Sequence, residues 1–100
     1  MIPQVIQKSK AEIIEICRKH QIRELSLFGS QVRGDFTDES DFDFLVDFLP
    51  GARIGFIELG FIKEELENIV TKPVDLVPKN GLKELIKQQV LDESEVVYAS

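Results

Sequence analysis

The segment 41–48, Asp-Phe-Asp-Phe-Leu-Val-Asp-Phe, constrains the fold of this chain most strongly. Alternate residues of a β-strand point to opposite faces of a sheet. The alternation predicts a strand over residues 42–48, ended by Pro50 and Gly51. Its apolar face comprises Phe42, Phe44, Val46 and Phe48. The opposite face comprises Asp41, Asp43, Leu45 and Asp47 and so begins with two carboxylates.

Hydrophobic periodicity predicts the other elements around this strand. The predicted helices cover 5–19, 55–70 and 82–91, the last with Leu82, Leu85, Ile86 and Val90 facing inward. The predicted strands cover Glu24–Phe28 and Pro73–Val77, and 96–98 is either a final short strand or part of a tail. This order of elements predicts an α/β (α+β) fold in which helices pack on the apolar face of a small sheet.

The length and net charge of the chain limit the number of domains and the classes of function that it can have. One hundred residues are typical of a single domain, here 1–100. A net charge of −6 argues against a nucleic-acid-binding module, which needs a basic face for phosphates. Six carboxylates fall within the thirteen residues 35–47, where a bound cation would reduce their repulsion: Asp35, Asp38, Glu39, Asp41, Asp43 and Asp47.

Cysteine content and hydropathy bear on the compartment. Cys17 is the only cysteine, so an internal disulfide is excluded, and its helical spacing predicts a buried residue. The sequence has neither the apolar core of a signal peptide nor an apolar run long enough to span a membrane. We therefore expect a cytoplasmic protein.

Two groups of residues carry chemistry. Gly29-Ser30 follows a predicted strand, and a helical turn beginning there would present backbone N–H groups to a phosphate. Asp41 and Asp43, two residues apart on one strand face, can hold a hard cation such as Mg²⁺, which prefers oxygen ligands. Asp75 is the natural third carboxylate, because an aspartate within an apolar strand is costly unless it is used or paired.

These residues resemble a known family. Gly29-Ser30, Arg33-Gly34-Asp35, Ser40-Asp41-x-Asp43 and a later lone Asp75 are similar to the motifs of the DNA polymerase β-type nucleotidyltransferase superfamily, and within it of the minimal nucleotidyltransferase domain. The resemblance covers nearly the whole chain. It implies a small mixed sheet of the polymerase β palm-like type.

The resemblance also implies roles for the site residues. Asp41 and Asp43 would bind two Mg²⁺ ions, and Asp75 would bind the catalytic metal and help to activate the attacking hydroxyl. Gly29 and Ser30 would hold the β- and γ-phosphates of a nucleoside triphosphate. Arg33 would either contact phosphate or form a structural salt bridge. The family often has a basic residue where Gln31 stands, so support for a phosphate contact there is weaker.

Small domains of this family resemble antitoxins paired with a HEPN-type ribonuclease toxin. The implied reaction transfers AMP from ATP to a toxin tyrosine and releases pyrophosphate. Two alternatives remain open: a catalytically weak module that neutralises its partner by contact, and a subunit of a small-molecule, antibiotic-type nucleotidyltransferase. A homodimer or a hetero-oligomer with the toxin is compatible with the sequence.

Residues outside these motifs have structural interpretations. We expect Asp47 to be solvated, and Asp35, Asp38, Glu39 and Ser40 to shape loops or turns. His20 is expected at the C-terminus of the first helix. Phe61 falls off the inward stripe of its helix and is a candidate for a partner surface.

Overall fold

A four-stranded mixed sheet, formed by the described residues, organises the protein. The computed structural model describes residues 2–35, 37 and 40–100. Its strands are β1 (Ile22–Phe28), β2 (Phe42–Phe48), β3 (Val74–Pro78) and β4 (Glu95–Ala99). Its helices are α1 (Gln4–Lys8), α2 (Lys10–Lys19), α3 (Ser30–Arg33), α4 (Phe56–Val70) and α5 (Glu84–Glu93), with a 3₁₀ turn at Lys79–Gly81.

The strand order is β3-β2-β1-β4. β1 runs antiparallel to both β2 and β4, whereas β2 and β3 are parallel. A parallel pair needs a long crossover connection, which α4 supplies. The segment predicted as either a strand or a tail is therefore a strand, β4, and it pairs with β1.

The hydrophobic core lies between one face of the sheet and helices α1, α2 and α4. The predicted apolar face of β2 is confirmed, since Phe42, Phe44 and Val46 are buried and Phe48 packs against the core with partial exposure. The helices contribute Ile6, Ile13, Ile16, Cys17, Ile62, Leu66 and Val70. This arrangement confirms the predicted fold class.

Cys17 is fully buried in this core, as predicted. Burial away from water raises the pKa of its thiol to about 12, because it disfavours the thiolate. No helix within the described residues has the length and hydropathy needed to cross a membrane.

The first predicted helix is divided in two. Ser9 separates α1 from α2, and its N–H donates to the carbonyl of Ile6 at 3.2 Å, a three-residue bond that tightens the end of α1. The Ser9 carbonyl accepts from the Ile13 N–H at 3.0 Å and so begins α2. Serine favours such helix boundaries over helix interiors.

The predicted inward face of the last helix is wrong at two positions. Leu85 is 98% exposed and Ile86 is 46% exposed, whereas Val90 is buried. Leu85 and Ile86 lie in the first turn of α5, and the described chain offers no apolar surface opposite Leu85. An amphipathic stripe buries only where another element faces it.

Candidate active site

In the turn after β1, the backbone of Gly29 lies against the carboxylate of Asp43. Gly29 has φ +81° and ψ −156°, a conformation that is nearly confined to glycine. A Cβ atom at Gly29 would lie 2.3 Å from Oδ2 of Asp43, so a side chain at this position is also excluded by space. The Gly29 carbonyl accepts from the N–H groups of Val32 and Arg33, both at 3.1 Å, and Ser30 begins α3.

Two of the predicted carboxylates come together through the parallel strand pair. Asp43 of β2 is the register partner of Asp75 of β3, so the two lie side by side on one face. Asp41 immediately precedes β2 and is exposed. Burial raises the pKa of the Asp43 carboxyl, and the negative charges of Asp75 and Asp41 raise it further. Asp43 is therefore repelled by both of the other carboxylates, and a bound cation would reduce this repulsion.

The carboxylate oxygens of the three aspartates are suitable ligands for Mg²⁺, although the side chains do not converge on one point. Three aspartates offer hard oxygen ligands, the type that Mg²⁺ prefers. Among the described residues, however, no three acidic, histidine or cysteine side chains converge closely enough to hold an ion. Ligation by Asp41, Asp43 and Asp75 therefore remains a prediction.

Arg33 is held beside this cluster by two carboxylates. Its Nε lies 3.3 Å from Oδ2 of Asp35, and its Nη1 lies 3.3 Å from each carboxylate oxygen of Glu93. Asp35 and then Glu93 raise the pKa of the guanidinium, which stays charged. Arg33 in turn stabilises the negative charge of Asp43. The salt-bridge interpretation of Arg33 is thus confirmed in this structure, and a phosphate contact remains a prediction.

Gln31 has a structural role that its neighbours explain. Its side chain is buried, with 4% of the residue exposed, and its amide donates to the Ser40 carbonyl at 3.5 Å. The Ser40 hydroxyl accepts from the Thr37 N–H at 2.8 Å, as expected for a turn residue. These contacts tie α3 to the chain entering β2. Asp38 and Glu39, also predicted as turn residues, lie outside the described residues.

Asp47 lies apart from the cluster, towards the other end of β2. Its Oδ2 is 3.7 Å from Nε of Arg23, and its side chain is one-third exposed. Asp47 was predicted to be solvated; it is partly exposed and also pairs with Arg23.

Glu93 was not predicted as a site residue. Its Oε1 accepts from the Gly29 N–H at 3.1 Å, and its charge raises the pKa of Asp43. The residue lies 64 positions after Gly29 at the end of α5, so periodicity gave no signal for it. Only the packing of α5 brings it to the site.

Comparison with known proteins identifies the class to which this arrangement belongs. The model of the nucleotidyltransferase domain family matches residues 10–97. The chain belongs to this family and is a nucleotidyltransferase. The resemblance inferred from the Gly-Ser and Asp-x-Asp motifs is therefore confirmed.

Particular relatives sharpen this assignment. The chain is 44% identical over 86 residues to the protein adenylyltransferase MntA of Thermococcus cleftensis, covering 84% of this chain and 81% of the relative. A solved structure provisionally described as a minimal nucleotidyltransferase is 28% identical, with a TM-score of 0.78 over 95% of both chains.

One structural neighbour comes from a complex. It is a chain in the structure of a tri-AMPylated Shewanella oneidensis HEPN toxin bound to an MNT antitoxin, with a TM-score of 0.69 and 21% identity. The match covers 95% of this chain and 73% of that chain, and it shows a shared fold.

Proposed function

We propose that this nucleotidyltransferase transfers AMP from ATP to a tyrosine hydroxyl of a HEPN-type toxin, and thereby acts as its antitoxin in the cytoplasm. The observation that carries the proposal is the placement of Asp43 beside both Asp75 and the Gly29 backbone. The two carboxylates that would hold a cation thus adjoin the turn that would hold phosphate. The 44% identity to a protein adenylyltransferase and the AMPylated toxin in a complex of the same fold support the choice of AMP and of acceptor.

The reaction exchanges one phosphorus–oxygen bond for another. The tyrosine oxygen bonds to the α-phosphorus of ATP, the bond from that phosphorus to the bridging oxygen breaks, and pyrophosphate leaves. Gly29 and Ser30 would hold the β- and γ-phosphates, and Arg33 would offset their charge. Asp75 would help to take the proton from the attacking hydroxyl. Asp41, Asp43 and Asp75 would hold Mg²⁺, which when bound neutralises charge on the attacking and leaving oxygens.

The shape of the site favours a protein as the acceptor. Asp75 is exposed on β3, which is an edge strand of the sheet. A side chain presented by another protein can approach an open edge, whereas a small acceptor gains more from an enclosing pocket.

The test measures transfer of label from α-labelled ATP to a HEPN-type toxin co-produced with the chain, in the presence of Mg²⁺. We expect a labelled toxin with the wild type, and a loss of more than about a hundredfold with Asp43→Asn or Asp75→Asn, because each removes a charge that organises phosphoryl transfer. Labelled GTP, CTP and UTP test the choice of nucleotide.

Asp47→Asn is the matched control, since it removes one carboxylate from the same strand outside the cluster. It should label the toxin as the wild type does. If Asp43→Asn neutralises the toxin fully while no label is transferred by any variant, neutralisation is by contact and the proposed function is wrong.

A further inference from the structure

The Glu93 carboxylate contacts hydrogen-bond donors that the proposed function assigns to the phosphates of a nucleotide. Its Oε1 accepts from the Gly29 N–H at 3.1 Å, and both of its oxygens lie 3.3 Å from Arg33 Nη1. One-fifth of its side chain is exposed. An anion belonging to the chain itself therefore contacts two of the three residues assigned to phosphate, Gly29 and Arg33.

We propose that Glu93 is an internal competitor of the nucleotide phosphates and sets the affinity of the site for ATP. The inference rests on the proposed function, which assigns Gly29 and Arg33 to phosphate. Carboxylate and phosphate oxygens accept the same charge-assisted hydrogen bonds from backbone N–H and guanidinium groups. Glu93 must release the Gly29 N–H and Nη1 of Arg33 before phosphate oxygens can bind these same donors.

Charge adds to this competition. Glu93 and Asp43 both lie against Gly29: Oε1 of Glu93 accepts from its N–H, and a Cβ atom at Gly29 would lie 2.3 Å from Oδ2 of Asp43. A triphosphate brings further negative charge to the same place, and like charges at short range repel. Displacement of Glu93 from the turn therefore removes both a competitor for donors and a source of repulsion.

The position of Glu93 allows it to move without disturbing the core. It is the last residue of α5, and the Ser94 N–H bond to the Val90 carbonyl closes the helix end independently of its side chain. A glutamate side chain has three rotatable bonds, so a change of rotamer can withdraw the carboxylate from Gly29.

The test compares Mg²⁺-ATP binding by calorimetry in the full chain with wild-type Glu93 and with Glu93→Gln. Glutamine keeps the length and can still accept from the Gly29 N–H, but it lacks the charge that pairs with Arg33. We expect Kd for ATP to fall about fivefold, which corresponds to about 1 kcal/mol. The gain for AMP should be smaller, because AMP has no β- or γ-phosphate.

Two further variants separate local competition from other effects. Asp92→Asn makes the same charge change one residue earlier, and its side-chain oxygen can still accept from Gln88. It should leave the ATP affinity unchanged. Glu93→Asp keeps the charge but shortens the side chain, and it should give an intermediate gain even if Glu93→Gln folds poorly.

The outcomes distinguish this inference from the function on which it rests. Equal or weaker ATP binding by folded Glu93→Gln overturns the inference, and weaker binding would make Glu93 a ligand of the metal or nucleotide. An equal gain in Asp92→Asn also overturns it, because general charge would then be the cause. If the wild type binds no ATP with Mg²⁺, the proposed function fails and the inference fails with it.

Discussion

The backbone of Gly29 lies so close to the Asp43 carboxylate that no side chain fits at position 29 unless Asp43 moves. We predict that Gly29→Ala lowers the free energy of unfolding by about 3 kcal/mol, measured in urea. The positive φ and the clash of the new Cβ with Asp43 Oδ2 each contribute roughly 1–2 kcal/mol.

Two other glycines separate these contributions. Gly51 has φ +86° with no described atom within 4 Å of its Cβ position, so Gly51→Ala should show the backbone cost of about 1 kcal/mol without the clash. Gly60 lies within α4 in similarly open space, and Gly60→Ala should stabilise by roughly 0.5–1 kcal/mol. Equal losses in Gly29→Ala and Gly51→Ala would show that contact with Asp43 costs nothing.

The sequence singled out residues of the candidate site but not the contacts that they make. Asp43 stood out because it shares one strand face with Asp41, and Asp75 stood out because a charged residue within an apolar strand is costly. Gly29 stood out because, with Ser30, it follows a predicted strand. No sequence pattern singled out Glu93, because glutamates are common near the ends of exposed helices. Its role depends on where α5 packs, which local sequence does not determine.

Helices α2 and α4 are joined at one point by a small charged network. Burial alone would raise the pKa of the Glu65 carboxyl, but its hydrogen bond with Lys19 and the charge of His20 outweigh burial and lower it. Nε2 of His20 lies 3.2 Å from Glu65, and Nδ1 lies 2.9 Å from Glu58. His20 follows α2 as predicted, and its ring also links that helix to α4.

We predict that Glu65→Gln lowers the free energy of unfolding at pH 7 by roughly 0.5–1 kcal/mol, a range typical of partly exposed pairs. The folded-state pKa of Glu65 lies below its ordinary value of 4.5, so its contribution is complete above that value. The contribution is lost as pH falls through the lowered pKa.

The difference between wild type and Glu65→Gln should therefore vanish in strongly acidic solution, as measured by denaturant unfolding at several pH values. Glu64→Gln, at an exposed neighbour on the same helix, is the control and should change stability little. A difference that persists unchanged at low pH would mean that the charge of Glu65 is not its cause.

Hydrophobic periodicity predicted where elements form better than it predicted their interruptions or the surfaces that cover them. The alternation in β2 predicted its bounds and its core face correctly, because consecutive residues of a strand point to opposite faces. Ser9 divides the first helix although its flanking residues keep a helical period. Leu85 continues the stripe of α5, but no apolar surface among the described residues covers it. A stripe indicates that a face can be buried without showing what would cover it.

Pairing between β2 and β3 brings Asp43 and Asp75 together, and it also places two negative charges side by side. Asp43 and Asp75 are 32 positions apart and become register neighbours only after the α4 crossover is in place. Neither the strand order nor this register could be read from local pattern, because both arise from long-range pairing.

We predict that Asp43→Asn raises the free energy of unfolding by about 1 kcal/mol in the absence of divalent cations, measured in urea with a chelator. It removes a partly buried charge that Asp75 and Asp41 repel. With Mg²⁺ added, the wild type should gain stability by binding the ion and the advantage of the variant should shrink.

Asp47→Asn serves as the control because Asp47 faces the cation Arg23 instead of other carboxylates. It should be neutral or slightly destabilising. If Asp43→Asn proves less stable than the wild type under chelation, the carboxylates do not strain the fold.

The side-by-side placement of Asp43 and Asp75 has a consequence for how such a chain can change over generations. The aspartates contribute little to holding the sheet together, so natural selection on folding alone does not retain them. Under the proposed function, a descendant that lost them would keep its shape and its surfaces while losing the transfer activity. Inactive descendants with an intact fold are therefore within reach of single substitutions.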